Sequence, residues 1–195
     1  GQSYSFVNNA DVSITPTDGV YKFSNLKVHE GSYLNYKYTA STSDIDQRFI
    51  IPNDSVDTTT LTVKVQESSS DATTSTYTLA TGITGIDSTS KVFFLQEVEG
   101  GRFEVYFGDG VMGKAIADGN IVILDYINTN RDAPNGATSF TLSGTVGGFS
   151  SATVTTISNA NGGTGLESIS SIKYNAPRDY SAQDRAVTAE DYKTL

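Results

Sequence analysis

Apolar and polar residues alternate along much of this chain, and the alternation predicts extended strands. Residues 21–29 (YKFSNLKVH) alternate weakly. Leu34, Tyr36 and Tyr38 then fall on one face of an extended segment, with Tyr33, Asn35 and Lys37 on the other. In 49-FIIPNDSVDTTTLTVKVQ-66, Pro52-Asn53-Asp54 reads as a turn. Leu61, Val63 and Val65 then alternate with Thr62, Lys64 and Gln66, as in a half-buried strand. Residues 68–75 (SSSDATTS) are polar throughout and predict a mobile connection. Residues 91–97 (KVFFLQE) and 102–107 (RFEVYF) are strand-like, and Gly100-Gly101 between them suits a tight hairpin, whose loop needs positive φ. Phe103, Val105 and Phe107 share one face of the second strand, opposite Arg102, Glu104 and Tyr106. In 120-NIVILDYINT-129 the continuous apolar run predicts a strand covered on both faces. Asn135-Gly136 and Gly147-Gly148 punctuate further short strands up to Ile157.

The pattern then changes period. Thr164 and Glu167 have the spacing of a capping box at a helix start. Leu166, Ile169 and Ile172 follow at spacing three, and Pro177 is expected to stop the run. Thr188 and Asp191 form a second such box, opening a helix with Tyr192 and Leu195. The expected fold is mainly β, with mostly antiparallel strands in a sandwich or barrel-like body and a short α-helical C-terminal segment. The expected divisions are 1–66, 67–160 and 161–195. Because the chain opens on Gly1 and stops at Leu195 inside a predicted helix, a piece of a longer protein is expected.

Composition narrows the chemistry. Ser and Thr make up about a quarter of 195 residues, with 18 Gly, 4 Pro and no Trp, which suits strands and turns. The net charge of -9 argues against a nucleic-acid partner and against anionic membrane surfaces. No apolar run approaches the ~20 residues that span a bilayer. There is no cysteine, so disulfides and thiolate metal sites are excluded, and the single histidine, His29, excludes a His-rich metal site.

The segment 108-GDGVMGK-114 looks most like chemistry. It fits both a dinucleotide-type glycine pattern and the start of a phosphate-binding P-loop. A P-loop also needs a following helix and a hydroxyl after its Lys, but Ala115 holds that position and Asp118-Gly119 signals a turn. These glycines are therefore expected to turn the chain, and no cofactor is expected. Asp44, Asp46, Asp54 and Asp57 could gather around calcium, although their spacing matches no EF-hand. Asp109 and Asp118 read as turn carboxylates, and no pair stands out for glycoside hydrolysis. Tyr33, Tyr36 and Tyr38 could offer an aromatic platform to sugars, although such tyrosines more often bury their rings.

A resemblance carries the reading further. Gly162-Gly163, Glu167-Ser168, Ala176-Pro177, Arg185-Ala186-Val187-Thr188 and Asp191-Tyr192 follow one another as in the baseplate J-like family of contractile phage tails. Upstream, Gly108-Asp109-Gly110 with Gly113, then Gly119, Tyr126 and Asn135-Gly136, resemble that family's strand-turn-strand pattern. The segment 49-FIIPNDSVDTTTLTVKV-65 looks more narrowly like the baseplate wedge proteins of T4-like phages. Two features depart from the pattern: the linker from Pro177 to Arg185 is short, and the chain ends as its second helix begins.

The resemblance implies a structural subunit of the virion tail baseplate, assembled in the host cytoplasm. It would pair with itself, as a homodimer, and with other wedge proteins in a ring that rearranges on contraction. No catalytic residue comes with it, so no enzyme activity is expected. Ile169, Ile172 and Leu195 are the expected interface, packing on the β body or on a second subunit. The alternative is a receptor- or carbohydrate-binding β module of a tail fibre or adhesin.

Overall fold

The computed structural model describes residues 1–44 and 46–182. Its centre is one seven-stranded sheet with the order β3-β9-β5-β6-β7-β8-β4. The strands are β3 (Ser32–Thr39), β4 (Phe49–Ile50), β5 (Val56–Ser68), β6 (Asp71–Leu79), β7 (Val92–Val98), β8 (Arg102–Phe107) and β9 (Ile121–Asn128). All neighbours pair antiparallel except β6 and β7, which run parallel. The sheet curls until its two edges nearly meet. Tyr38 on β3 donates its hydroxyl to the carbonyl of Ile50 on β4, and its ring lies 5.5 Å from that of Phe49. The body is therefore a nearly closed barrel, and the mainly β expectation is what the fold shows.

The alternating residues fill the interior. Val63, Val65, Phe93, Val105, Val122, Leu124 and Tyr126 are buried with Phe49, Ile51 and Tyr77. Leu34, Tyr38, Leu61, Phe103 and Phe107 pack against them. β9 is buried on both faces, as its apolar run predicts: Val122, Leu124 and Tyr126 enter the core, and on the other face Asn35 and Lys64 from the flanking strands reach Asp125. Its outward residues, Ile123, Asp125 and Ile127, are buried too. The β5–β9 ladder is interrupted between Asp57 and Thr62. There the Thr60 hydroxyl accepts from the Ile127 amide at 3.1 Å and donates to the Asp57 carbonyl at 2.7 Å, standing in for ladder bonds.

Several local expectations fail. Residues 68–75 are not a loose connection: β5 turns through Ser69-Ser70 into β6, with Ser68 opposite Asp71. Thr is a good strand residue, and polarity without Gly or Pro is a weak loop signal. Residues 21–28 form no strand; only His29–Glu30 (β2) pairs, with Phe6–Val7 (β1). Nor do strands follow Asn135. Instead two hairpin-like arms leave the body. The first, residues 8–28, is bridged near its tip by Thr17 and Val20. The second, residues 138–159, is bridged by Val146 and Phe149 around Gly147-Gly148 and tied at its base by Ala137 and Ala160. Phe6 and Phe140 meet edge to face at 5.0 Å, joining the arm bases.

Pro177 does not stop the helix. The single helix α1 spans Ile169–Ala182 and contains it. Proline costs a helix one backbone bond, yet Arg178 keeps the turn together, its guanidinium 3.5 Å from the Tyr174 ring centre and bonded to the Tyr174 carbonyl. The helix also begins later than the Thr164–Glu167 spacing predicts. Ser168 is the cap, its hydroxyl accepting from the Ser171 amide at 3.2 Å. Glu167 instead accepts from the Ser171 hydroxyl at 2.6 Å.

Candidate functional site

The glycine-rich segment after β8 is a tight corner. Gly110 donates to the Gly113 carbonyl at 3.1 Å, and Gly113 donates to the Asp87 carbonyl at 3.0 Å. Lys114 then donates to the Ser90 carbonyl at 2.8 Å. Gly110 and Gly113 have φ near +87° and +88°, the left-handed region that favours glycine. Gly108 is required for space: a Cβ there would stand 2.1 Å from the Met112 carbonyl oxygen. Asp109 accepts from the Val111 and Met112 amides at 2.9 Å each. Those amides, Met112 first, hold its carboxyl below the usual range. The amides a phosphate would need are thus already taken by the chain's own carboxylate. The segment runs on into the Asp118-Gly119 turn and β9. Gly119 donates to the Ala40 carbonyl at 3.0 Å, pinning that turn beside the end of β3.

A second cluster sits at the opposite end of the barrel, where β9 leaves and β3 and β5 enter. The chain after β9 is fastened by three neighbours. Thr129 bonds the Ser55 carbonyl, Arg131 donates to the Asp54 carbonyl at 3.0 Å, and Glu30 accepts from the Asn130 amide and side chain. Asn135 then grips the Gly162-Gly163 pair. Its side chain donates to the Gly163 carbonyl at 2.7 Å and accepts from the Gly163 amide at 3.1 Å. Gly136 donates to the Ala160 carbonyl at 2.8 Å. A Cβ on Gly163 would stand 2.2 Å from the Arg131 carbonyl oxygen, so only glycine allows this approach. Sequence reading singled out Asn135-Gly136 and Gly162-Gly163 separately, and the fold brings them together. Gly108, Asp109, Gly110, Gly113 and Gly119 lie at the other end. Arg185, Thr188, Asp191, Tyr192 and Leu195 lie outside the described residues.

The remaining candidates disperse. Asp54 serves Ser55 and Arg131, while Asp57 accepts from Thr59 and lies 3.7 Å from His29. Among the described residues no three such groups gather as they would around a metal. The three tyrosines share no platform: the Tyr36 and Tyr38 rings lie 5.1 Å apart, with Tyr38 packed on the core, and Tyr33 falls on the other face of β3. Ile169 and Ile172 are 71% and 45% exposed, so the helix does not pack them on the β body.

Two groupings carried no sequence signal. Asp125, buried on β9, is bonded to Lys64 at 3.0 Å and Asn35 at 2.5 Å, and the bond to Asp125 raises the Lys64 pKa. Outside the barrel, Phe94 and Tyr106 stack at 5.1 Å, with the Arg48 guanidinium over Tyr106 and paired to Glu104. Both depend on register across strands remote in sequence.

What this architecture belongs to is decided by comparison with known proteins. Residues 36–136, from within β3 to the Asn135-Gly136 anchor, match the family described as bacteriophage baseplate wedge protein gp6, third domain. The chain belongs to this family. It is also 27% identical, over 130 residues, to the baseplate wedge protein gp6 of Enterobacteria phage T4, covering 55% of this chain. The chain spans 20% of that relative's length. The family match takes in the barrel, the glycine corner and Asn135-Gly136. The Gly162-Gly163 pair, Glu167, Pro177 and both arm tips lie outside it.

Proposed function

We propose that this chain is a structural domain of a phage tail baseplate wedge, working through protein–protein contacts. The observation that carries the reading is the family match over residues 36–136, which takes in nearly all of the barrel. The barrel suits a rigid building block, since its edges are nearly joined and its core is continuous. In this reading the domain sits in the virion tail baseplate after assembly in the host cytoplasm. It pairs with itself as a homodimer and with other wedge proteins in a ring around the hub, which rearranges on contraction. The exposed Ile169 and Ile172 on α1, with Leu195, serve as the interface to a second subunit. The likeness of residues 161–195 to the baseplate J-like pattern supports the same role, and no catalytic step is assigned.

Antibody raised against the chain tests this on intact virions, imaged by electron microscopy before and after tail contraction. Label at the end plate is the expected result. Label confined to the distal fibres would overturn the reading in favour of receptor binding.

A further inference from the structure

Asparagine followed by glycine is the step at which a side-chain amide is most readily lost, because glycine has no side chain to shield its own nitrogen. The chain contains two such steps, Asn135-Gly136 and Asn161-Gly162, and the fold places one on each side of the same contact. At Asn135 the chemistry is blocked. Gly163 holds both ends of its side-chain amide, and the Gly136 nitrogen that would attack it donates to the Ala160 carbonyl at 2.8 Å. At Asn161 the chemistry is open. Asn161 and Gly162 are both exposed, and the Asn161 side chain donates to the Asn159 carbonyl at 2.9 Å. Among the described residues the Gly162 amide donates to nothing, so its nitrogen is free to react.

We infer that Asn161 is a site of spontaneous amide-to-acid conversion, and that its conversion unfastens Asn135 and opens it to the same reaction. In the first step the Gly162 nitrogen, its proton taken up by base, attacks Asn161 Cγ. The new C–N bond closes a cyclic imide, the Cγ–Nδ2 bond breaks, and the side-chain nitrogen takes up a proton and leaves as ammonia. Water then opens the ring to aspartate, or to isoaspartate when the main chain is left running through the side-chain carbon. Either product sets a carboxylate two residues before Gly163, and isoaspartate also lengthens the main chain there. Gly163 has no slack for this: even a Cβ on it would stand 2.2 Å from the Arg131 carbonyl oxygen. Once Gly163 withdraws, Asn135 loses both side-chain bonds, and the Gly136 amide loses Ala160 with the same segment. What is freed is the stretch from the second arm to the helix cap at Ser168. Conversion of Asn135 then bars the return, since an aspartate there has no N–H to give the Gly163 carbonyl.

The test follows both steps by peptide mass spectrometry while the full chain ages in mildly alkaline buffer at physiological temperature. In the wild type Asn161 is expected to convert first, with Asn135 following after a lag. While the contact holds, the two bonds of Asn135 and the one of Gly136 must break before Asn135 reacts. Three such bonds set a protection on the order of 100-fold relative to the chain in urea. Asn161→Gln removes the first step, because the longer side chain reacts far more slowly, and should keep Asn135 at its protected rate throughout. Gly163→Ala cannot make the close approach and should bring Asn135 to the urea rate with no lag. Neither position belongs to the core cluster, so circular dichroism of both variants is expected to match the wild type. Asn135 converting as early as Asn161, or reacting at the urea rate in Asn161→Gln, would overturn the inference. So would an Asn161 that keeps its amide while the chain in urea loses it.

Discussion

Replacing Gly108 by Ala tests whether the glycine segment is a structural corner. The new methyl carbon would lie 2.1 Å from the Met112 carbonyl oxygen and 2.5 Å from the Gly113 carbonyl carbon and oxygen. All three atoms are backbone, so no side chain can swing aside and the loop must open. Opening breaks three backbone bonds, Gly110 to Gly113, Gly113 to Asp87 and Lys114 to Ser90. At about 1 kcal/mol net for each, the loss is about 3 kcal/mol. The alanine recovers roughly 0.4–1 kcal/mol by restricting the unfolded chain. A net destabilisation of about 2 kcal/mol is expected, read as a lower urea midpoint at unchanged slope. Gly119→Ala is the internal control. Nothing lies within 4 Å of its added carbon, and only the φ of +76° is strained, so its cost should be about 1 kcal/mol. Equal costs at the two positions would refute the close-packing argument. A saturable rise in melting temperature with ATP and magnesium would refute the structural reading of the segment altogether.

Lys64→Met should cost roughly 1.5–3 kcal/mol, below the usual figure for breaking a buried pair because the Lys64 side chain is 36% exposed. Adding Asp125→Leu should recover most of that loss in urea unfolding; a double variant weaker than Lys64→Met would contradict the pairing. Asn135→Ala should speed amide exchange and proteolysis across residues 160–168 while barrel amides keep their protection, and uniform loosening would show that the anchor supports the barrel itself. Serine and threonine hydroxyls hold the Asp87 pKa at about 2, below its unfolded 3.8, and amides hold Asp109 below its ordinary value in the same direction. Both contributions are therefore present above pH 3.8 and lost on acidification below it, that of Asp87 as pH falls towards 2. Amides of residues 87–90 and 108–114, followed by NMR, should shift in that window, and a transition centred above pH 5 would count against it.

The strands of the barrel were legible in the sequence because their side chains alternate between core and solvent, and period two is a local signal. β9 was legible for the opposite reason: an unbroken apolar run must be covered on both faces. The glycine corner was legible from what it lacked, a hydroxyl at position 115 and room for a helix before Gly119. Residues 68–75 misled because composition stood in for conformation, and a Thr-rich segment becomes a strand once β5 offers a partner. Pro177 misled because a helix can lose one backbone bond when a neighbour such as Arg178 holds the turn. Closure of the sheet, the burial of Asp125 against Lys64 and the grip of Asn135 on Gly163 belong to the tertiary structure alone. Each joins residues far apart along the chain, Asn135 and Gly163 by 28 positions and Lys64 and Asp125 by 61. Separations of that size are bridged only when strand order and register are fixed, and those are settled by the whole core rather than by any one segment.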